Sequence, residues 1–381
     1  MTLLEVRDLN VSFPTADGVV RAVRGVSFDV EPGSTLGVVG ESGSGKTVLT
    51  QTLLGLTPGA EVSGSATFEG TDLLQLSDDE MRHVRGERIS VIFQDPLTSL
   101  HPLYKIGWQI SEMIRAHEKS VSKKEAAARS VELLRMVGIP KPDTRVNDYP
   151  HQFSGGMRQR AMIAMALALE PRLIIADEPT TALDATVQAQ ILDLLLRLQQ
   201  DLGTALIMIT HDLGVVADIA DEVMVMYAGR AAEKAPKRDV FYEAHHPYTK
   251  GLLESIPSSK AAGGRLKPIP GSPPSLINLP TGCKFHPRCG YVFDKCLVDE
   301  PVLHPVAESG SHTSACWLPA NAAGTSAEAE ELREQVVAAE RGAEAAGVAA
   351  AAFAGLGAEP DSNSDGAAGA GTPADNEGSV A

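Results

Sequence analysis

The residues with the clearest chemical capacity form the run Gly40-Glu41-Ser42-Gly43-Ser44-Gly45-Lys46-Thr47. Glycines at this spacing let the backbone curl until successive N–H groups point inward. There, the N–H groups and the N-terminus of a following helix attract phosphate oxygens. Lys46 then reaches the β and γ phosphates of a nucleotide, and Thr47 holds Mg²⁺. A second constellation is Asp177-Glu178, directly after the apolar run Leu173-Ile174-Ile175-Ala176. Two carboxylates leaving a buried strand stand where ligands bind in open α/β sheets. Asp177 would enter the Mg²⁺ shell, and Glu178 would polarise an attacking water. Together the two runs point to phosphoryl transfer from a nucleotide to water.

Such groups must be held by strands that end together. Short apolar or β-branched runs recur at Thr35–Val39, 89–93, 173–176, Ala205–Thr210 and 223–226. Helical patterns separate several of them. In 187–200, Ile191, Leu192, Leu194, Leu195 and Leu198 repeat at helical spacing. Alternating strands and helices predict an α/β fold with a largely parallel sheet. Residues from about 71 to 150 read as mostly helical, inserted between two strands. From Pro247 onward Pro and Gly become frequent and all four cysteines follow, which predicts a boundary near 240–260 and a small, loop-rich appendage.

The chain has 381 residues and a net charge of -16. Residues 321–381 hold 11 acidic and 2 basic groups, and 29 of these 61 positions are Ala or Gly. This composition cannot bury enough apolar area to offset chain entropy, so a disordered tail is expected, with a short helix possible over 328–341. The remaining 320 residues carry 38 acidic and 31 basic groups, a balance that argues against a general nucleic-acid surface. No run approaches 18 consecutive apolar residues, and Glu5, Arg7 and Asp8 break any signal-peptide core, so neither a membrane span nor export is expected.

Beyond the two constellations, the chain resembles the nucleotide-binding subunit of ABC transporters. Phe13 lies where that family stacks an aromatic ring on adenine. Gln94, after Ser90-Val91-Ile92-Phe93, matches the glutamine that touches Mg²⁺ and the attacking water. Ser154-Gly155-Gly156-Met157-Arg158-Gln159-Arg160 looks like the family's signature, which meets the γ-phosphate of ATP held by an opposite subunit. Phe153 and Met157 depart from the usual Leu before the Ser and Gln after the glycines. Ala182-Leu183-Asp184 matches the D-loop, and His211 matches the switch histidine that contacts the γ-phosphate. The resemblance implies a P-loop ABC cassette: a RecA-like core, an antiparallel β subdomain and a helical subdomain over about 98–170. It also implies that two such subunits sandwich two ATP molecules to drive separate membrane subunits.

The resemblance runs to about residue 320 and is nearest to the ATPase subunits of oligopeptide and dipeptide importers. It is carried by Phe93-Gln94-Asp95-Pro96-Leu97-Thr98-Ser99-Leu100, Met226-Tyr227-Ala228-Gly229-Arg230, His246-Pro247-Tyr248-Thr249 and Ile269-Pro270-Gly271-Ser272-Pro273-Pro274. Related importers carry nickel, glutathione or oligosaccharides, and a soluble ABC ATPase outside transport is the other class. Such soluble proteins usually have two cassettes or a long coiled-coil insertion, whereas this chain has one phosphate loop. The expected partners are a second, paralogous ATPase, two permease subunits and an extracytoplasmic peptide-binding protein, with the chain on the cytoplasmic face of the membrane. The expected organisation is an ATP-binding domain over 1–250, a cysteine-bearing region over 251–320 and the tail. Cys283, Cys289, Cys296 and Cys316 lie within 34 positions and point to a metal, although they lack the paired C-x-x-C pattern common in zinc sites. Iron–sulfur, zinc and unliganded thiols all suit four cysteines, with His286, His304 and His312 as substitute ligands. Resemblance favours a four-iron four-sulfur cluster, with Zn²⁺ as the alternative.

Overall fold

The computed structural model describes residues 2–181, 183–255, 268–306 and 310–319. The tail over 321–381, the helix expected at 328–341 and Ala182 lie outside the described residues. An antiparallel sheet has the order β2 (Gly18–Val30), β1 (Leu4–Thr15), β4 (Glu61–Phe68), β5 (Thr71–Asp72). Its strands alternate: Leu4, Val6, Leu9 and Val11 are buried, while polar neighbours such as Glu5 and Asn10 are exposed.

The larger sheet is built on β3 (Thr35–Val39), β6 (Ile89–Ile92), β7 (Leu173–Asp177), β8 (Ala205–Thr210) and β9 (Glu222–Tyr227), all parallel, in the order β9-β3-β8-β7-β6. Parallel strands are buried on both faces, which explains their uninterrupted apolar runs. The two faces feed different cores at a period of two. Ile174, Ala176, Leu206 and Met208 pack with the helices, and Leu173, Ile175, Ala205, Ile207 and Ile209 pack toward the antiparallel sheet. Because the five strands run the same way, their C-terminal ends share one edge. That edge receives Gly40 after β3, the Gln94 segment after β6, Asp177 and Glu178 from β7, and His211 after β8.

Two expected strands, Thr35–Val39 and Ala205–Thr210, match in extent, and the helix expected at 187–200 spans Ala185–Leu202. Asp184 caps that helix through the N–H groups of Thr186 and Val187, and Gly203, at φ +63°, closes it. The supposed helical insertion over 71–150 needs correction, because β6 enters the sheet in its middle. The continuous helical stretch begins only at Pro96–Ser99 and continues through Ile106–His117 and Lys123–Met136. The strand expected at 89–93 is β6 itself, so the helical stretch does not run unbroken through 71–150.

The cysteine-bearing region is tied to the sheet. β10 (Arg230–Pro236) pairs with β9, β12 (Thr313–Ser314) pairs with β10, and β11 (His304–Pro305) completes the edge. Phe285, Cys289 and Cys296 share a core with Val225, Tyr227, Val240 and Tyr248. Below them Glu233, fully buried, accepts hydrogen bonds from the N–H groups of His245 (2.6 Å) and His246 (3.0 Å), and its Oε1 lies 2.7 Å from His312 Nε2. Burial disfavours the Glu233 charge, but these donors outweigh it and hold its pKa below the ordinary carboxylate value.

Gly37, in the strand that feeds the phosphate loop, is needed for close approach of the helix Leu213–Ile219. A Cβ there would stand 2.6 Å from Val216 Cγ1 and 3.2 Å from Ala220 Cβ. Gly37→Ala is expected to cost about 1–3 kcal/mol through overpacking. The double variant Gly37→Ala/Val216→Ala should recover part of it. Urea unfolding of both checks this, and a Gly37→Ala midpoint equal to wild type would refute the packing.

Candidate active site

The strand β3 is buried at every position and ends at Val39, so the loop that follows from Gly40 starts from a fixed point. The backbone takes positive φ at Gly40 (158°), Gly43 (78°) and Gly45 (100°). A Cβ at Gly40 would meet the Met226 carbonyl oxygen at 2.3 Å, and one at Gly45 would meet the Ala22 carbonyl oxygen at 2.2 Å. The loop is thus wedged between β9 and β2, and only glycine fits at these two points. The helix Lys46–Leu53 begins immediately afterwards, so its unpaired N–H groups and positive end face the loop.

Lys46 is 5% exposed, and its Nζ donates to the carbonyl oxygens of Gly40 (2.7 Å) and Glu41 (3.0 Å). Burial lowers its pKa, against the opposing pull of Glu178, Asp177 and Glu41. Thr47 Oγ1 donates to Asp177 Oδ1 at 3.2 Å, joining the loop to the end of β7. Burial raises the Asp177 pKa, and the Thr47 hydrogen bond and Lys46 only partly offset it. An anion beside Lys46 and a cation beside Asp177 would each relieve a desolvated charge.

Glu178 has φ +46°, a left-handed conformation that costs a residue of its kind about 1–3 kcal/mol. Its N–H donates to the Ile209 carbonyl at 2.9 Å, which fixes it against β8. Its Oε2 accepts hydrogen bonds from Gln94 Nε2 (3.0 Å) and Thr181 Oγ1 (3.0 Å), and its Oε1 lies 3.3 Å from His211 Nδ1. Gln94, Glu178 and His211, distant in sequence, therefore meet in one cluster. Thr181 belongs to it too and was missed by sequence reasoning; only its place three residues after Glu178 could have drawn attention.

Ser154 caps the helix Gly155–Ala166, its Oγ accepting from the Met157 N–H at 3.3 Å. Gly156 lets this helix close on the one that Asp184 caps, since a Cβ would stand 2.8 Å from Val187 Cγ1. Ser154, Gly155, Gly156 and Met157 thus assemble with Asp184, a second group separate from the first. Among the described residues no hydrogen bond or ion pair joins them to residues 40–47. Phe13 is half-buried on β1, paired with Val20.

Ser42 and Ser44 belong to the loop, with the Ser44 N–H donating to the Glu41 carbonyl at 3.2 Å. The N–H and the carboxylate of Glu41 serve other partners. Its N–H donates to Tyr248 Oη at 2.8 Å, and its carboxylate receives two hydrogen bonds from Arg288, at 2.6 and 2.9 Å. Sequence reasoning assigned neither Arg288 nor Tyr248 a role at this loop, because the contacts span 247 and 207 residues.

Cys283, Cys289, Cys296 and Cys316 line one pocket walled by Phe285, Tyr291 and Trp317. All four are free thiols, and burial raises the pKa of each, Cys283 to about 11 and Cys316 to about 12. Cys289, Cys296 and Cys316 are buried there and Cys283 is half-buried. Among the described residues no group of three or more His, Cys, Asp or Glu side chains is placed to hold a metal ion as they stand. His286 borders the pocket, whereas His312 is engaged by Glu233.

Comparison with known proteins agrees with this construction. Residues 23–181 match the ABC transporter family model, and residues 232–296 match that of the oligopeptide/dipeptide transporter C-terminal region. The chain is 52% identical over 320 residues to an oligopeptide transport ATP-binding protein, OppD, of Bacillus subtilis, covering 83% of this chain and 88% of that one. It is 51% identical to a dipeptide transport ATP-binding protein, DppD, of the same organism, over 83% of this chain and 94% of that one. The OppD protein of Salmonella typhimurium is also 51% identical, with the same two shares covered. Among solved structures, the dimeric ATP-binding cassette MJ0796 bound to ADP and Pi superposes with a TM-score of 0.56 at 26% identity, covering 62% of this chain and 99% of that one. The fold, the glycine-wedged loop and the extent of these matches together place the chain in the ABC transporter ATP-binding family, within the group that carries the oligopeptide/dipeptide C-terminal region.

Proposed function

We propose that the chain is the ATP-hydrolysing subunit that energises import of di- and oligopeptides. The observation that carries the catalytic part is the convergence of Lys46, Thr47 and Asp177 with the Gln94–Glu178–His211 cluster at one sheet edge. In this reading the N–H groups of 43–47 and Lys46 hold the β and γ phosphates, and Phe13 stacks on adenine. Thr47, Asp177 and Gln94 would hold Mg²⁺, which would supply positive charge to offset that of the phosphates. Glu178 accepts the proton of the attacking water, and Gln94 and His211 orient that water and the γ-phosphate. Ser154, Gly155, Gly156, Met157 and Asp184 face outward to complete a second subunit's site, which supports a two-subunit sandwich, with a paralogue as the partner.

The substrate reading is supported by the similarity to oligopeptide and dipeptide transport ATP-binding proteins and by the match of residues 232–296 to the oligopeptide/dipeptide transporter C-terminal region. Two permease subunits and an extracytoplasmic peptide-binding protein complete the importer, with this chain held at the cytoplasmic face of the membrane through the permeases. Among the described residues no helix is long and apolar enough to cross a membrane, so the crossing is assigned to those partners. The chain divides functionally into an ATP-binding part to about residue 250, a cysteine-bearing part to about 320 and the tail beyond. Cys283, Cys289, Cys296 and Cys316 would hold a four-iron four-sulfur cluster, a group capable of one-electron transfer or of cross-linking the fold; Zn²⁺ is the alternative.

Glu178→Gln removes the proton acceptor but keeps the hydrogen bonds from Gln94 and Thr181. It is expected to lower ATP turnover by about two to four orders of magnitude while ATP still binds. Turnover assays on the assembled transporter with retained nucleotide measured in parallel check this, and unchanged hydrolysis would refute the role. Anaerobically purified protein should show a broad visible absorption with iron and sulfide in equal amounts, and Cys289→Ser should diminish both. Stoichiometric zinc would establish the alternative, and absence of all three would dismiss a metal at these thiols.

A further inference from the structure

We infer that Arg288 is a positioning residue for the ATP site: through Glu41 it fastens the cysteine-bearing region to the phosphate loop and sets that loop's affinity for nucleotide. The guanidinium is 4% exposed on its side chain. Its Nη1 and Nη2 form a two-pronged pair with the Glu41 carboxylate, its Nε donates to the Pro270 carbonyl at 2.9 Å, and Nη1 also reaches Tyr227 Oη at 3.4 Å. A planar fork engaged on three sides is oriented as well as charged. Arg288 ends the short turn His286–Arg288, immediately before Cys289, and that turn is pinned by the His286 N–H to the Cys283 carbonyl. Tyr248, fully buried beside Tyr227 and Phe285, takes the Glu41 N–H from the same side.

The chemical need for this grip follows from the loop's task. Glu41 sits between Gly40 and the N–H groups that face phosphate, so an unpaired carboxylate there would oppose a polyanion at short range. Arg288 cancels that charge and draws the side chain to the outer side of the loop. Tyr248 fixes the peptide that follows Gly40, whose carbonyl also receives Lys46 Nζ. The ends of the loop are thus fixed by different means: Gly45 by its fit against β2, and Glu41 by a salt bridge to a region some 250 residues away in sequence. Arg288 touches no reacting atom, so its loss acts on nucleotide binding and leaves the chemical step intact.

This inference rests on the reading of residues 40–47 as an ATP site, and the full-length chain tests both. ATP affinity and melting temperature are measured for wild type, Arg288→Ala, Glu41→Gln and Glu41→Gln/Arg288→Ala, with KM and kcat for each in the assembled transporter. Arg288→Ala is expected to weaken ATP binding about tenfold and to raise KM with kcat held. In the Glu41→Gln background the same substitution should change affinity less than about twofold, because the charge it screens is gone. Equal losses in both backgrounds, or a lowered melting temperature with wild-type affinity, would overturn the inference and leave the ATP site standing. Wild-type chain that binds no ATP would overturn both. If Arg288→Ala does not fold, Arg288→Lys keeps the charge and loses the fork. An affinity between wild type and tenfold weaker supports the inference, and wild-type affinity contradicts it.

Discussion

The structure depends on the absence of a side chain at Gly40 and Gly45. Their Cα atoms lie against the carbonyl oxygens of Met226 and Ala22, at separations no Cβ could occupy. That contact brings three things together: β3 and its neighbour β9 in the parallel sheet, the antiparallel sheet through β2, and the helix that starts at Lys46. The parallel pairing of β3, β8, β7 and β6 then delivers Asp177, Glu178, His211 and Gln94 to the same edge.

Around that loop the protein holds groups under electrostatic or conformational stress. Lys46 and Asp177 are both desolvated, and Glu178 occupies a left-handed backbone conformation. Each is tolerated because neighbours fix it: Gly40 and Glu41 carbonyls for Lys46, Thr47 for Asp177, and Ile209, Gln94 and Thr181 for Glu178. Preorganised charge of this kind is worth most when a ligand of opposite sign arrives, since the cost of orienting it has already been met in folding.

Much of the nucleotide edge was legible in the sequence because its determinants are local. A glycine-rich run, an apolar strand ending in two acids and a helix repeating from Ile191 to Leu198 each carry their meaning within a dozen residues. The chain's own periodicity did not reveal β1, β2 and β4, whose burial depends on pairing across bulges and on a sheet assembled from distant segments. What stayed illegible was long-range: the Glu41–Arg288 pair, the Tyr248 hydroxyl on the loop, and Glu233 gathering His245, His246 and His312. Residue type says that an arginine can pair with a carboxylate, and only the fold says which one.

The cysteine-bearing region is joined to the rest of the fold by the β12–β10 pairing and the core around Phe285, and to the glycine loop by the side chain of Arg288. The most direct measurement is an experimental structure of the chain with Mg²⁺ and a non-hydrolysable ATP analogue. The account predicts phosphate oxygens against the N–H groups of 43–47 and Lys46 Nζ, the cation between Thr47 and Asp177, and the γ-phosphate facing Glu178, with Glu41 still turned to Arg288. Nucleotide bound elsewhere, or phosphates facing away from Lys46 and Glu178, would contradict it.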